Sequence, residues 1–176
     1  MHYQAIAEGS ALPLMLYSVP GRTGMSIELA ACKALSELDG VIGIKEAGGD
    51  AARAVDIVAL CGNDLPVSCG SDELNVPMLS VGAAGVVSVL SNALPEAVVG
   101  MTEAWAAGSV KKAAALQAHY QPLIRLLFRQ VSPIPIKAAL SIMGLCENSL
   151  RLPLTALEPE ELAPLAAELR RLEVIQ

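Results

Sequence analysis

Short apolar runs alternate with longer amphipathic segments over the first half of the chain. Each run is bounded by Gly or polar residues, a pattern typical of buried parallel strands. The four predicted strands begin near Leu14, Val41, Val67 and Val86. Between the second and third strands, Asp50 is expected to cap a helix that ends at Gly62. This alternation predicts an α/β fold with a parallel sheet.

From residue 95 onward the pattern is wholly helical. Predicted helices cover residues 98–107, 110–128, 136–144 and 159–174, with Gly and Pro residues in the breaks between them. Pro95 is suited to a first helical turn, because its missing N–H would have no partner there. The chain is therefore predicted to hold β/α units in residues 1–94 and helices in residues 95–176, packed as one globular unit.

Lys45 is the most informative residue, because it closes the second apolar run and is followed by the polar, Gly-rich segment 46–50. The carboxyl ends of parallel strands are where α/β folds place their chemistry. A partly desolvated lysine loses some preference for its charged form, and its free amine can attack a carbonyl to give a Schiff base. The alternative is a structural lysine that extends to water or pairs with Glu46.

Tyr17 is expected beside Lys45. Successive strand residues point to opposite faces of a sheet. Strict alternation would put Met15 and Tyr17 on one face and Val41, Gly43 and Lys45 on the same face of the next strand. The remaining positions, Leu14, Leu16, Ile42 and Ile44, would then face covering helices. A phenol beside an amine is suited to proton transfer during imine formation.

Arg22 and Gly70 are two further candidates at strand ends. The guanidinium of Arg22, in a Gly-bracketed loop, can hold a carboxylate through paired hydrogen bonds, although a solvated loop arginine is the alternative. Gly70 follows the third predicted strand and would let the backbone approach a small ligand closely. A simple tight turn explains that glycine equally well.

Charge and apolar segment length exclude two classes of partner. The net charge is −6 and Lys and Arg form no cluster, whereas nucleic-acid binding requires concentrated positive charge. The apolar stretches are interrupted well before the roughly 18 residues that span a bilayer. No secretory signal follows Met1, so a cytoplasmic location is the expectation.

Cysteine spacing argues against a metal site. Cys32, Cys61, Cys69 and Cys146 form no C-x-x-C pair, and the chain has only two histidines. Scattered core thiols in a reducing compartment are therefore expected in place of disulfides or structural zinc. We predict no metal.

Four motifs occur in the order seen in one enzyme family. They read YSVPGRTG at 17–24, GIKEAGGD at 43–50, GVVSV at 85–89 and PIPIK at 133–137. With them the chain resembles the dihydrodipicolinate synthase and N-acetylneuraminate lyase family of pyruvate-dependent class I aldolases. The resemblance implies the second half of a (β/α)8 TIM barrel, followed by a helical region, because about four strands are present where a closed barrel needs eight.

The resemblance also implies a reaction and its residues. Lys45 would condense with pyruvate as a Schiff base, and Tyr17 would relay protons. Arg22 would recognise the carboxylate of aspartate semialdehyde, and Gly70 and Val87 would border the pyruvate pocket. No organic cofactor is expected, because the imine itself serves as the electron sink. The resemblance thus implies a lyase of the dihydrodipicolinate synthase type, in lysine and diaminopimelate biosynthesis.

Three interpretations remain open. The chain could act in such a synthase, either as a homo-oligomer or with a complementary amino-terminal half, or in another class I aldolase of the sugar-acid or sialic-acid lyase type. It could instead be a catalytically silent half-barrel that self-associates through sheet edges. An unrelated α/β ligand-binding module is the third. A half-barrel would expose its inner strand positions, which are predicted as Met15, Tyr17, Val41, Gly43 and Val67.

Overall fold

The computed structural model describes residues 1–176. Four parallel strands form one sheet in the order β1-β2-β3-β4. They are β1 Leu14–Ser18, β2 Val41–Glu46, β3 Val67–Cys69 and β4 Gly85–Val86. The predicted α/β fold and its four strands are confirmed, although the fourth strand is shorter than its apolar run.

Nine α-helices accompany the sheet. They are α1 His2–Gly9, α2 Pro20–Thr23, α3 Leu29–Ser36, α4 Ala51–Cys61, α5 Asn75–Ser80, α6 Pro95–Ala106, α7 Val110–Leu127, α8 Ile134–Ile142 and α9 Pro159–Arg171. Asp50 caps α4 as predicted, because its side chain accepts from the Ala52 N–H at 2.9 Å. Gly62 ends α4 with a φ of 56°, and Pro95 opens α6. No helix combines the length and apolar character that a membrane crossing requires.

A β-bulge near the start of β2 changes which residues face the helices. Leu14 pairs with Val41, but Met15 pairs with Gly43, so Ile42 is the extra residue. Val41 is buried and Ile42 is 52% exposed. The predictions that Val41 shares the face of Lys45 and that Ile42 faces helices are therefore wrong, because strict alternation cannot continue across an inserted residue.

Gly43 allows β2 to lie close to the segment before β3. A Cβ at residue 43 would lie 2.8 Å from the Pro66 carbonyl oxygen. The same oxygen accepts the Ile44 N–H at 2.9 Å. A larger residue would push the two segments apart and remove this hydrogen bond.

The chain forms two compact units, residues 1–88 and residues 89–176. In the first unit, one face of the sheet packs against helices around a core that includes Leu16, Ile44, Val67, Cys32 and Ile57. On the other face Met15 and Tyr17 are about half exposed, as predicted. Val41, Gly43 and Val67 are buried, so their predicted exposure is wrong.

The second unit is helical, with a buried core contributed by α6, α7 and α9. Its fully buried large side chains include Met101, Leu123, Ile124, Leu127, Leu165 and Leu169. The boundary predicted from the sequence, after residue 94, lies within the first residues of this unit.

Candidate active site

Lys45 and Tyr17 are neighbours on the face of the sheet that the helices leave open. They are direct partners across β1 and β2. The Lys45 Nζ lies 4.1 Å from the centroid of the Tyr17 ring. An amine over an aromatic face is held by a cation–π contact of about 0.5–1 kcal/mol at an exposed site. The ring thus helps to orient the amine at the carboxyl end of β2.

Gly70 provides the space for the Lys45 side chain. A Cβ at residue 70 would lie 2.8 Å from Lys45 Cε and 2.8 Å from the Ala47 Cβ. The Gly70 N–H donates to the Glu46 carbonyl at 2.8 Å, which fixes this close approach. From the sequence alone, either close approach of the backbone to a ligand or a tight turn explains a glycine at this position. The geometry adds a third reason, which is contact with the lysine itself.

Ser68 and Val87 lie on the same face of the sheet as Lys45. Ser68 pairs with Lys45 on one strand and with Gly85 on the other, and strand alternation extends this face to Val87. Val87 is 41% exposed, and its N–H donates to the Cys69 carbonyl at 2.7 Å. Ser68 was not predicted as a site residue, although it is the polar residue between two apolar ones in the run 67–69 and so faces the opposite side of the strand from them.

Arg22 lies on the loop that follows β1. It is exposed and lies in the short helix α2, and its backbone N–H donates at 2.8 Å to the carbonyl of Val19, the residue before that helix. The Thr23 hydroxyl donates to the Met25 carbonyl at 2.7 Å, which ties the end of α2 to the next residues. Tyr17 therefore lies on β1, and Arg22 lies on the segment that directly follows this strand.

A cavity of about 430 Å³ lies between Tyr17 and this loop. Thr23 and Met25 line it from the loop, and Ala31 lines it from α3. Its size is within the range of small-molecule sites. Tyr17 thus borders both the Lys45 amine and an open space.

Glu46 is buried on the opposite face from Lys45. Its carboxylate accepts from Arg53 Nε at 3.1 Å and from the Gly48 N–H at 2.7 Å. The suggested pairing of Lys45 with Glu46 is therefore wrong, because adjacent strand residues point to opposite faces. Arg53 could not be identified from the sequence, because its contact with Glu46 depends on how α4 packs against β2.

Two of the buried cysteines, Cys69 and Cys32, are not activated nucleophiles. Burial raises the pKa of the Cys69 thiol to about 11, and its Sγ donates to the Ser71 carbonyl. Burial also raises the pKa of Cys32. Both thiols therefore stay protonated at neutral pH. Cys61 is buried as well, whereas Cys146 is exposed.

No group of three or more His, Cys, Asp or Glu side chains is arranged to hold a metal ion.

Ser18, at the end of β1, carries a buried polar atom without a partner. Its side chain is 1% exposed, and its hydroxyl makes no hydrogen bond. Ser18→Ala should therefore raise the free energy of unfolding by about 1 kcal/mol, because it removes a desolvated group. Urea denaturation measures this change, with the exposed Ser149→Ala as a control expected within about 0.5 kcal/mol of the parent. A loss of stability in Ser18→Ala would show that the hydroxyl has a stabilising role.

Comparison with known proteins agrees with this fold. The profile of the Dihydrodipicolinate synthetase family matches residues 1–172. The 4-hydroxy-tetrahydrodipicolinate synthase of Alkaliphilus oremlandii is 41% identical over 174 residues, which are 99% of this chain and 60% of that protein. The chain thus spans about 60% of the length of the curated relatives it matches.

Solved structures give the same result. The dihydrodipicolinate synthase from Acinetobacter baumannii, complexed with pyruvate, matches with a TM-score of 0.95 and 36% identity, over 99% of this chain and 60% of that one. The Thermotoga maritima enzyme matches with a TM-score of 0.95 and 34% identity, over the same shares.

The fold and site define an α/β protein with a lysine at the carboxyl edge of a parallel sheet. The chain belongs to the dihydrodipicolinate synthetase family. Its recognition from the four sequence motifs is confirmed.

Proposed function

We propose that this chain carries the Schiff-base lysine of a dihydrodipicolinate synthase-like lyase, which condenses pyruvate with aspartate semialdehyde. The observation that carries the proposal is the position of Lys45, whose amine lies over Tyr17 and whose stem runs past Gly70. The naming of the curated relatives and the pyruvate complex of the Acinetobacter enzyme support the same chemistry.

The proposed reaction begins when the Lys45 amine attacks the ketone of pyruvate and water leaves. Loss of a proton from the methyl group gives an enamine, whose carbon attacks the aldehyde of aspartate semialdehyde. The amine of that substrate then displaces Lys45 as the product cyclises. Tyr17 relays protons, Arg22 holds the carboxylate of the semialdehyde, and Gly70 and Val87 border the pyruvate pocket.

We further propose that the four strands correspond to the second half of a (β/α)8 barrel. A closed barrel of this kind has eight strands, and the chain spans 60% of its curated relatives. In the resembled family, a threonine pair and a tyrosine from a partner subunit complete the proton relay, and both lie in the amino-terminal part. Full turnover would therefore need a complementary set of β/α units.

Borohydride trapping tests the first step without the second substrate. Reduction in the presence of pyruvate should leave a stable adduct on Lys45, which peptide mass mapping identifies. Lys45→Met should remove the adduct, whereas Lys33→Met should retain it, because Lys33 lies on α3 and forms only an exposed ion pair with Glu37, just beyond the end of that helix. An adduct on another lysine, or none in a folded sample, would rule out the assignment.

A further inference from the structure

The loop that carries Arg22 is attached to the strand that carries Lys45 through the buried carboxylate of Glu46. Glu46 is 2% exposed and directly follows Lys45 on β2. One carboxylate oxygen accepts from Gly48, and the other accepts from Arg53 on α4. Since an unpaired buried charge is costly, this pairing strongly constrains all three residues.

Arg53 also contacts the segment after Arg22. Its Nη2 donates to the Ile27 carbonyl, while its Nε donates to Glu46. Ile27 lies between α2, which contains Arg22, and α3. One guanidinium therefore joins the loop after β1 to the strand that carries Lys45. A lysine has a single ammonium group and cannot reproduce this fork.

Gly48 is a second point at which the same two segments lie close together. A Cβ at residue 48 would lie 2.7 Å from the Glu46 Oε1 and 3.4 Å from the Pro20 Cγ. Pro20 is the first residue of α2. Arg53 therefore holds the Ile27 end of the segment from Pro20 to Ile27, the Pro20 end lies close to Gly48, and Arg22 lies between them.

We propose that Arg53 is a positioning residue, which fixes the Arg22 loop relative to the Lys45 amine so that one substrate carboxylate and one carbonyl are held at a set separation. The proposal rests on the proposed function. A buried ion pair adds little net stability compared with apolar packing. A displacement of about 1 Å, however, can cost about 100-fold in rate.

Hydrogen exchange tests the structural part in the chain itself. The loop amides of Arg22, Thr23 and Gly24 are hydrogen-bonded within the loop, at 2.8, 3.1 and 2.9 Å. In Arg53→Lys, which keeps the charge beside Glu46, residues 21–28 should exchange about 5-fold faster while β1 and β2 stay unchanged. The exposed Arg125→Lys on α7 is the matched control and should leave both regions unchanged. Unchanged exchange in 21–28, or faster exchange throughout residues 1–88, would overturn the proposal.

Kinetics in an active assembly test the positioning role. Arg53→Lys should leave borohydride trapping of pyruvate within about twofold and raise the KM for aspartate semialdehyde about 10-fold. Combined with Arg22→Ala, it should add nothing to the effect of Arg22→Ala alone, because both changes remove the same carboxylate contact. Additive effects, or an equal loss of trapping, would overturn the proposal. Failure of the proposed function is separate, since it appears as no Lys45 adduct in the unmodified chain.

Discussion

Gly70→Ala should reduce the rate of pyruvate trapping on Lys45 by about 100-fold. The added methyl group would lie 2.8 Å from both Lys45 Cε and the Ala47 Cβ. The backbone bond from Gly70 to Glu46 prevents the two segments from separating easily, so the lysine stem has to move. A displacement of a reacting amine by about 1 Å can reduce the reaction rate by about 100-fold. The rate of adduct formation, followed by mass spectrometry after borohydride reduction, measures the loss.

Gly9→Ala is the matched control for this change. A Cβ at residue 9 meets no atom within 4 Å, so trapping should stay within about twofold of the parent. Thermal unfolding of both variants separates a local effect on Lys45 from general loss of structure. If Gly70→Ala traps pyruvate at the parental rate, Gly70 serves only the turn after β3.

Much of the sheet could be predicted from the sequence because its strands are short apolar runs with clear polar boundaries. The pairing of Lys45 with Tyr17 also followed from strand alternation, since both residues lie beyond the bulge and alternation is regular there. The bulge itself could not be predicted. It depends on Ile42 and on the close approach of Gly43 to Pro66, a contact between residues far apart in the chain.

The contacts around the candidate site could not be predicted from the sequence either, because they also join residues that are far apart in the chain. Arg53 looked like an ordinary polar residue of an amphipathic helix, and its role depends on the packing of α4 against Glu46 and Ile27. The steric role of Gly70 depends on the path of the Lys45 side chain. Sequence periodicity indicates which face a side chain occupies, but not which tertiary neighbour it meets.

The chain should self-associate through the open face of its sheet. Met15, Tyr17, Ile42 and Val87 are each between 41% and 52% exposed. The strands at the two ends of the sheet, β1 and β4, each pair with only one neighbour. Unpaired edges and contiguous apolar surface promote contact between chains. Light scattering during size exclusion should therefore give a mass above that of one chain, rising with concentration.

A charge on the open face should weaken this association. Ile42→Lys puts an ammonium group at a position that is 52% exposed beside the apolar residues of β1, and inward-pointing charge is one way that natural sheets avoid edge contacts. Leu152→Lys makes a comparable change at a position that is 86% exposed in the second unit, and it should leave the mass unchanged. If the parent chain is a monodisperse monomer at every concentration, unfolds cooperatively and turns over both substrates, neither association nor a complementary half is needed.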